Sequence, residues 1–335
     1  SGLFLFSSEL KSFHEHPRFD KNLNLAAVSA FMQYGNVPTP HCIFNNCYKL
    51  KPGHFMEFSI DEELSREQIQ PQNQTSYWNV YDAYNKPKLD LSFDNAKQET
   101  EKILKNACDY RMVSDVPVGV FLSGGYDSAS VTALLQKDRT NPLKTFTISV
   151  PDIGLDEAPF AKQIAAYLGT DHTEIQCSHK EAIDLIEDLP FYYDEPFADS
   201  SAIPTTLVSL AARKHVTVAL SADAGDEVFA GYNRYDYIQR YGERLNKIPS
   251  FIRKSIVKSM EFIPSYTIPY FRNTYNFHNR YEKIKGVMAD PTQKQIMMSL
   301  SEQFTDAQIR KIVRFEYEKL STAYASNELK AEFSS

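Results

Sequence analysis

The chain has 335 residues, enough for about two domains, and its 42% hydrophobic and 24% charged content is that of a globular protein with a sizeable core. A formal net charge of −7 gives no electrostatic reason to bind nucleic acid or an anionic membrane. No apolar run approaches the roughly 20 residues of a membrane-spanning helix, the N-terminus lacks a basic-then-apolar leader pattern, and the four cysteines form neither a disulfide framework nor a CxxC pair.

In chain order, residues 1–60 read as short strands and one helix. Strands are expected at 3–6 and 54–59 and a helix over 23–33, with Asn36-Val-Pro-Thr-Pro40 as a proline-punctuated turn. Residues 61–92 are polar, rich in Gln, Asn and Lys, and broken by Tyr77 and Trp78, so they read as a linker with an aromatic anchor. From Asp94 the pattern changes. A helix is predicted over 94–113, with Asp94 as N-cap and Ile103, Leu104, Ala107 and Tyr110 facing inward. An apolar strand follows at 116–122, then a helix over 126–137 with Val131, Leu134 and Leu135 inward. Strands at 145–150, 173–177 and 216–220 alternate with helices at 157–168 (stopped by Gly169), 180–190 and 203–214. Such alternation specifies an α/β fold, a parallel sheet covered by helices on both faces. Beyond Tyr235 the chain reads as helical, aromatic and basic, interrupted by prolines at 249, 264 and 269.

Two loops stand out at strand ends, where ligands of open α/β sheets bind. Ser123-Gly-Gly-Tyr-Asp-Ser128 follows the first apolar strand, and Ser221-Ala-Asp-Ala-Gly-Asp-Glu227 follows the last. Consecutive glycines let the backbone turn tightly and approach a ligand. A helix starting directly afterwards offers unpaired N–H groups and the positive end of its dipole, which together suit an anion. Asp127 lies inside that proposed anion site, where a carboxylate repels phosphate unless a metal ion stands between them. Asp223, Asp226 and Glu227 supply further carboxylates from the same sheet edge, the donor type Mg²⁺ takes together with phosphates. Neither GxxxxGK[ST] nor GxGxxG is present. An anion cradle without the P-loop lysine fits a pyrophosphate leaving group and chemistry at the α-phosphate. The eight histidines are scattered and form no HExxH, so metal binding through them is not expected.

Ser123-Gly-Gly-Tyr-Asp-Ser128 resembles the PP-loop, SGGxDS, of the N-type ATP pyrophosphatases. With the 221–232 segment, the 155–172 stretch "LDEAPFAKQIAAYLGTDH" and the 194–205 stretch "DEPFADSSAIPT", the chain resembles the glutamine-hydrolysing asparagine synthetase family. "FSSELKSF" (6–13), "YGNVPTPHCIF" (34–44) and "KLKPGH" (49–54) carry the same resemblance nearer the N-terminus. It divides the chain into a C-terminal remnant of a glutaminase-type domain (1–60), a linker (61–92), a PP-loop synthetase core (93–240) and a helical C-terminal part (241–335). The resemblance implies a cytoplasmic enzyme that adenylates the side-chain carboxylate of aspartate with ATP and Mg²⁺, releases pyrophosphate, and amidates the product with ammonia drawn from glutamine.

By the same resemblance, Ser123, Gly124, Gly125, Asp127 and Ser128 hold pyrophosphate, with Asp127 and Asp226 on Mg²⁺. Leu122 and Ile148 are expected to line the adenine pocket. Ser221 and Ala222 are expected to contact the nucleotide, Ala222 standing where the family has glycine, and Asp223 takes the proton of the incoming ammonia. The family's N-terminal cysteine nucleophile, and a later K-x-G-F-like lysine motif, find no match here, so the chain reads as trimmed at both ends. Weak synthesis and no glutamine hydrolysis are expected of it alone. A homodimer is among the assemblies the resemblance admits. Two other readings stay open: adenylation of a different acid, such as a sugar uronate or a β-lactam precursor, and a non-catalytic nucleotide-binding fragment.

Overall fold

A computed structural model describes residues 3–59, 65, 68–149, 156–263, 265–268 and 277–323. Two compact units result, one from residues 1–87, 193–198 and 232–335, the other from 88–192 and 199–231.

The first unit starts with α1 (Lys11–His14), α2 (Leu25–Tyr34), β1 (His54–Phe55), β2 (Thr75–Ser76) and α3 (Val80–Tyr84). Helix α2 begins where the Asn24 side chain accepts from Ala27 N–H, and it stops at Gly35, whose φ of 79° only glycine adopts cheaply. Its Ala27 packs with Val37, Cys42 and Ile43 in a small core. Residues 3–6 form no strand: they carry no ladder, and Phe6 is 85% exposed. The strand expected over 54–59 shortens to the two residues of β1, paired antiparallel with β2. A short apolar run alone does not make a strand; pairing with a neighbour does.

The second unit is the α/β layer. It contains α4 (Phe93–Arg111), β3 (Val118–Phe121), α5 (Tyr126–Gln136), β4 (Lys144–Ser149), α6 (Ala158–Leu168), β5 (Asp171–Gln176), α7 (His179–Asp184), α8 (Leu189–Tyr193, its last residue passing into the first unit), α9 (Ala202–Ala212), β6 (Val218–Leu220) and α10 (Gly225–Phe229). The four strands lie in the order β5-β4-β3-β6, every pairing parallel. Val120 and Leu143 pack against Cys108 of α4 and Leu135 of α5, and Leu122 packs against Ala161 and Ala165 of α6. On the opposite face Phe146 meets Val208 and Ala212 of α9. The sheet is therefore covered on both sides, as the alternation of elements requires.

Helix α4 starts one residue earlier than expected, because Ser92 rather than Asp94 is the cap and accepts from Asn95 N–H. Its buried row also differs. Cys108 enters the core with Met112 beside it, whereas Ile103 and Tyr110 are 64% and 79% exposed. The i, i+4, i+8 row through Leu104 wins by one residue of rotation, since Cys108 packs as a small apolar side chain. Val150 and the prolines at 264 and 269 lie outside the described residues, as does part of the 61–92 segment.

The first unit resumes with α11 (Asn233–Asn246), α12 (Ser250–Phe262), α13 (Phe277–Ala289), α14 (Gln293–Ser301) and α15 (Asp306–Ile312). Tyr281 of α13 is buried and its hydroxyl donates to Ile263 O at 2.9 Å. These helices are tied to α2 through Gln33, whose amide donates to Glu302 Oε1 at 2.5 Å and whose carbonyl accepts from Gln303 N–H at 2.7 Å.

Candidate functional site

The strand order places a reversal in the middle of the sheet. From β3 the chain steps outward to β4 and β5, then returns to lay β6 on the other side of β3. A crevice opens outside the carboxyl ends of strands at such a switch point. Val120 is level with Leu220 across the β3–β6 pair, so the loops after Leu122 and after Leu220 leave the sheet side by side.

The first loop is held by its two serines. Ser128 Oγ accepts from Ser123 N–H at 3.0 Å and lies 2.8 Å from Ser123 Oγ, while Gly125 N–H donates to Ser123 Oγ at 3.1 Å. Ser128 is 8% exposed. Its hydroxyl staples the turn from within, bonded to Ser123 and Gly125. Gly124 is needed for space: a Cβ there would stand 2.9 Å from Phe160 Cβ and 3.4 Å from Glu157 Cβ at the start of α6. Gly125 caps α5 with no side-chain hydrogen bond, so the first-turn N–H groups of this 11-residue helix point out of the turn. Asp127 sits in that first turn, partly buried.

The second loop is short and bent by two alanines in the left-handed region, Ala224 at φ 70° and Ala230 at φ 57°, one on each side of α10. Ser221 Oγ donates a hydrogen bond to Asp223 Oδ2, an exposed carboxylate of the loop that follows β6. The Asp226 carboxylate folds onto Gly231, where a Cβ would lie 2.0 Å from Oδ1. Asp127 reaches across to this loop, its Oδ2 lying 2.2 Å from the position of a Cβ on Gly225. Thus Ser123, Gly124, Gly125, Asp127 and Ser128 stand together, with Gly225 beside Asp127, while the Asp226 carboxylate lies on Gly231.

The side chains of Leu122 and Ile148 pack on different faces of the sheet. Leu122 is 1% exposed against α6, whereas Ile148 packs on the α9 face with Phe146. Ala222 is half-buried between Ser221 and Asp223. Among the described residues no group of three or more His, Cys, Asp or Glu side chains converges as a metal cluster, and no helix is long and apolar enough to cross a membrane.

One residue near the first loop was given no role by the sequence reading. Asp156 accepts from Ser149 Oγ at 2.9 Å and from Ala158 N–H at 3.1 Å, so it ties the end of β4 to the start of α6, against which Gly124 packs. The signal was present as an Asp two residues before a helix opened by Ala158-Pro159.

Two family models match the chain. The asparagine synthase model covers residues 99–329, and a glutamine amidotransferase domain model covers residues 1–78. Among curated proteins, the chain is 37% identical over 262 residues to a putative glutamine-hydrolysing asparagine synthetase 2 of Methanocaldococcus jannaschii, covering 75% of this chain and 47% of that one. It is 30% identical over 259 residues to the glutamine-hydrolysing asparagine synthetase 1 of Bacillus subtilis, covering 77% and 39%. The glutamine-hydrolysing asparagine synthetase B of Escherichia coli is 31% identical over 153 residues, 41% of this chain and 27% of its own length. The chain thus spans about half or less of the length of these relatives.

Proposed function

The chain belongs to the asparagine synthase family, and on that footing we propose that it carries the adenylating site of an ammonia-dependent amide synthetase acting on aspartate. The observation that carries this reading is the meeting of the two loops at the switch point, with Asp127 set against Gly225. That juxtaposition puts an anion-binding turn and a carboxylate-bearing turn around one space, and adenylation followed by amidation needs both.

In the proposed sequence, the backbone N–H groups of Gly124 and the first turn of α5 bind the β- and γ-phosphates. The substrate carboxylate attacks the α-phosphorus, the bond to the bridging oxygen breaks, and pyrophosphate leaves. Ammonia then adds to the acyl carbon of the mixed anhydride, AMP departs, and Asp223 accepts the proton that the nitrogen must lose. Ser221 fixes the aim of Asp223. Asp127 and Asp226 offer hard oxygen donors that fit Mg²⁺, which takes one or two carboxylates plus substrate phosphates; when bound, it neutralises charge on the leaving pyrophosphate. Glutamine is the proposed nitrogen source, the 1–78 match being what supports it.

The test is aspartate-dependent exchange of labelled pyrophosphate into ATP, run against a panel of other carboxylic acids. Aspartate is expected to support exchange, and Asp127→Asn to lower it by at least about 10²-fold, comparable to losing one preorganised electrostatic partner. Exchange supported equally by another acid would move the substrate assignment. Wild-type exchange in Asp127→Asn would remove Asp127 from the site.

A further inference from the structure

Residues 41–48 of the first unit double back as a hairpin. An antiparallel bridge joins His41 to Tyr48, Lys49 N–H donates to Pro40 O at 2.8 Å, and Asn46 at φ 58° helps turn the chain. One residue inward from that bridge, Cys42 stands opposite Cys47. Directly opposed residues of an antiparallel pair have Cα atoms about 4.5–5.5 Å apart, within the roughly 4.4–6.8 Å that a disulfide spans. Both thiols are free. Cys42 is 4% exposed within the core of Ala27, Val37 and Ile43, and Cys47 packs at the edge of that core, partly open to solvent.

We propose that Cys42 and Cys47 form a thiol–disulfide exchange site that takes small disulfides of the glutathione class, with Cys47 as the attacking thiol and Cys42 as the resolving one. The chemistry of the pair fits this division. Cys42 donates its S–H to the Cys47 sulfur, which holds the Cys47 thiol below its ordinary value and pushes Cys42 up. The thiolate is the nucleophile in such exchange. Cys47 attacks one sulfur of the small disulfide; its S–S bond breaks, one thiolate leaves, and a mixed disulfide forms on Cys47. That leaving thiolate takes up the Cys42 proton, and Cys42 Sγ attacks Cys47 Sγ and expels the second thiolate, which is protonated by water as the proton lost from Cys47 returns. The two cysteines are oxidised to one disulfide, and one small disulfide is reduced to two thiols. Cys108 and Cys177 are buried without a cysteine neighbour, and burial raises both thiols. They serve as internal controls.

The experiment equilibrates the folded chain in buffers of graded oxidised-to-reduced glutathione, quenches with an alkylating agent, and maps the peptides by mass spectrometry. The peptide alkylated at both Cys42 and Cys47 is expected to fall at least about tenfold toward the oxidising end, replaced by an internally linked peptide lacking two hydrogens. Cys108 and Cys177 should stay alkylatable after denaturation. In Cys42→Ser, glutathione should accumulate as a mixed disulfide on Cys47. In Cys47→Ser, modification of Cys42 should slow at least about tenfold, as expected of a buried thiol. Cys42 and Cys47 both remaining alkylatable across the series, or ending as separate glutathione adducts in the wild type, would overturn the proposal. Faster modification of Cys42 than of Cys47 in the single variants would overturn the assigned order.

Discussion

Gly124→Ala is the perturbation that best separates shape from charge in the first loop. Gly124 has no left-handed φ, so its need for glycine is space alone. A Cβ would lie 2.9 Å from Phe160 Cβ, and ordinary contact begins near 3.4 Å, so the loop and the first turn of α6 must part by about 0.5 Å. The obstructing atom is a Cβ fixed to the helix backbone and cannot swing aside. Overpacking of this kind costs about 1–3 kcal/mol. A misplacement of about 1 Å costs on the order of 10²-fold in rate, so half of that predicts roughly a tenfold loss of ATP–pyrophosphate exchange, about 1.4 kcal/mol in the barrier. The assay is exchange at saturating ATP and aspartate beside a thermal melt. Phe160 is 61% exposed, which allows a rescue test. Phe160→Gly in the Gly124→Ala background removes the obstructing atom and should restore most of the exchange, at about 1 kcal/mol of helix propensity. Phe160→Ala leaves the Cβ in place and should restore none. Wild-type exchange in Gly124→Ala, or equal rescue by alanine and glycine at 160, would refute the reasoning.

Asp223→Ala should keep most aspartate-dependent exchange while lowering ammonia-dependent amide formation by about 10²–10⁴-fold, the range of a general base; equal loss of both would move Asp223 to the nucleotide site. Ala224→Gly should raise stability, because a left-handed alanine costs about 1–2 kcal/mol and glycine returns about 0.5–1 kcal/mol of that through the unfolded chain; a lowered melting temperature would contradict it. Glu302, 8% exposed, has its carboxyl pushed above the usual range, chiefly by burial. The folded state therefore holds that proton more tightly than the unfolded one. Its contribution is complete below the ordinary glutamate value and is lost as pH rises through the raised one. Glu302→Gln keeps an acceptor for Gln33 and should abolish that decline, stabilising the protein by about 1 kcal/mol at neutral pH and by nothing in acid, as read from melts at the two pH values.

What the sequence made legible follows from which interactions are local. Gly169 at φ 72° ends α6 by a rule that operates within one turn, and the parallel sheet follows from strands that alternate with helices, even though β5 carries a single apolar residue, Ile175. The PP-loop was legible for the same reason. Two glycines, a carboxylate and a hydroxyl in six residues have few packing uses together, and the turn they build is internally bonded from Ser123 to Ser128. The failures are those of partnership across the chain. Residues 3–6 have the composition of a strand but, among the described residues, no strand to pair with, and the buried row of α4 was settled by Leu135, Leu143 and Val131 across the interface, not by its own spacing. Leu122 and Ile148 are both apolar and both near strand ends, yet a parity of one residue in the pleat sends them to opposite faces of the sheet.

The contact of Asp127 with Gly225 belongs to the same class, since it joins residues almost a hundred positions apart and depends on β6 lying beside β3. Periodicity reports which face of an element is apolar; it does not report which strands become neighbours. The strand order 5-4-3-6 supplies that information, and it brings two separately readable loops together as one candidate site. Gly225 then acquires a meaning that no local rule gives it. A side chain there would occupy the space of the Asp127 carboxylate, so the second loop contributes to the first loop's geometry through the atom it lacks.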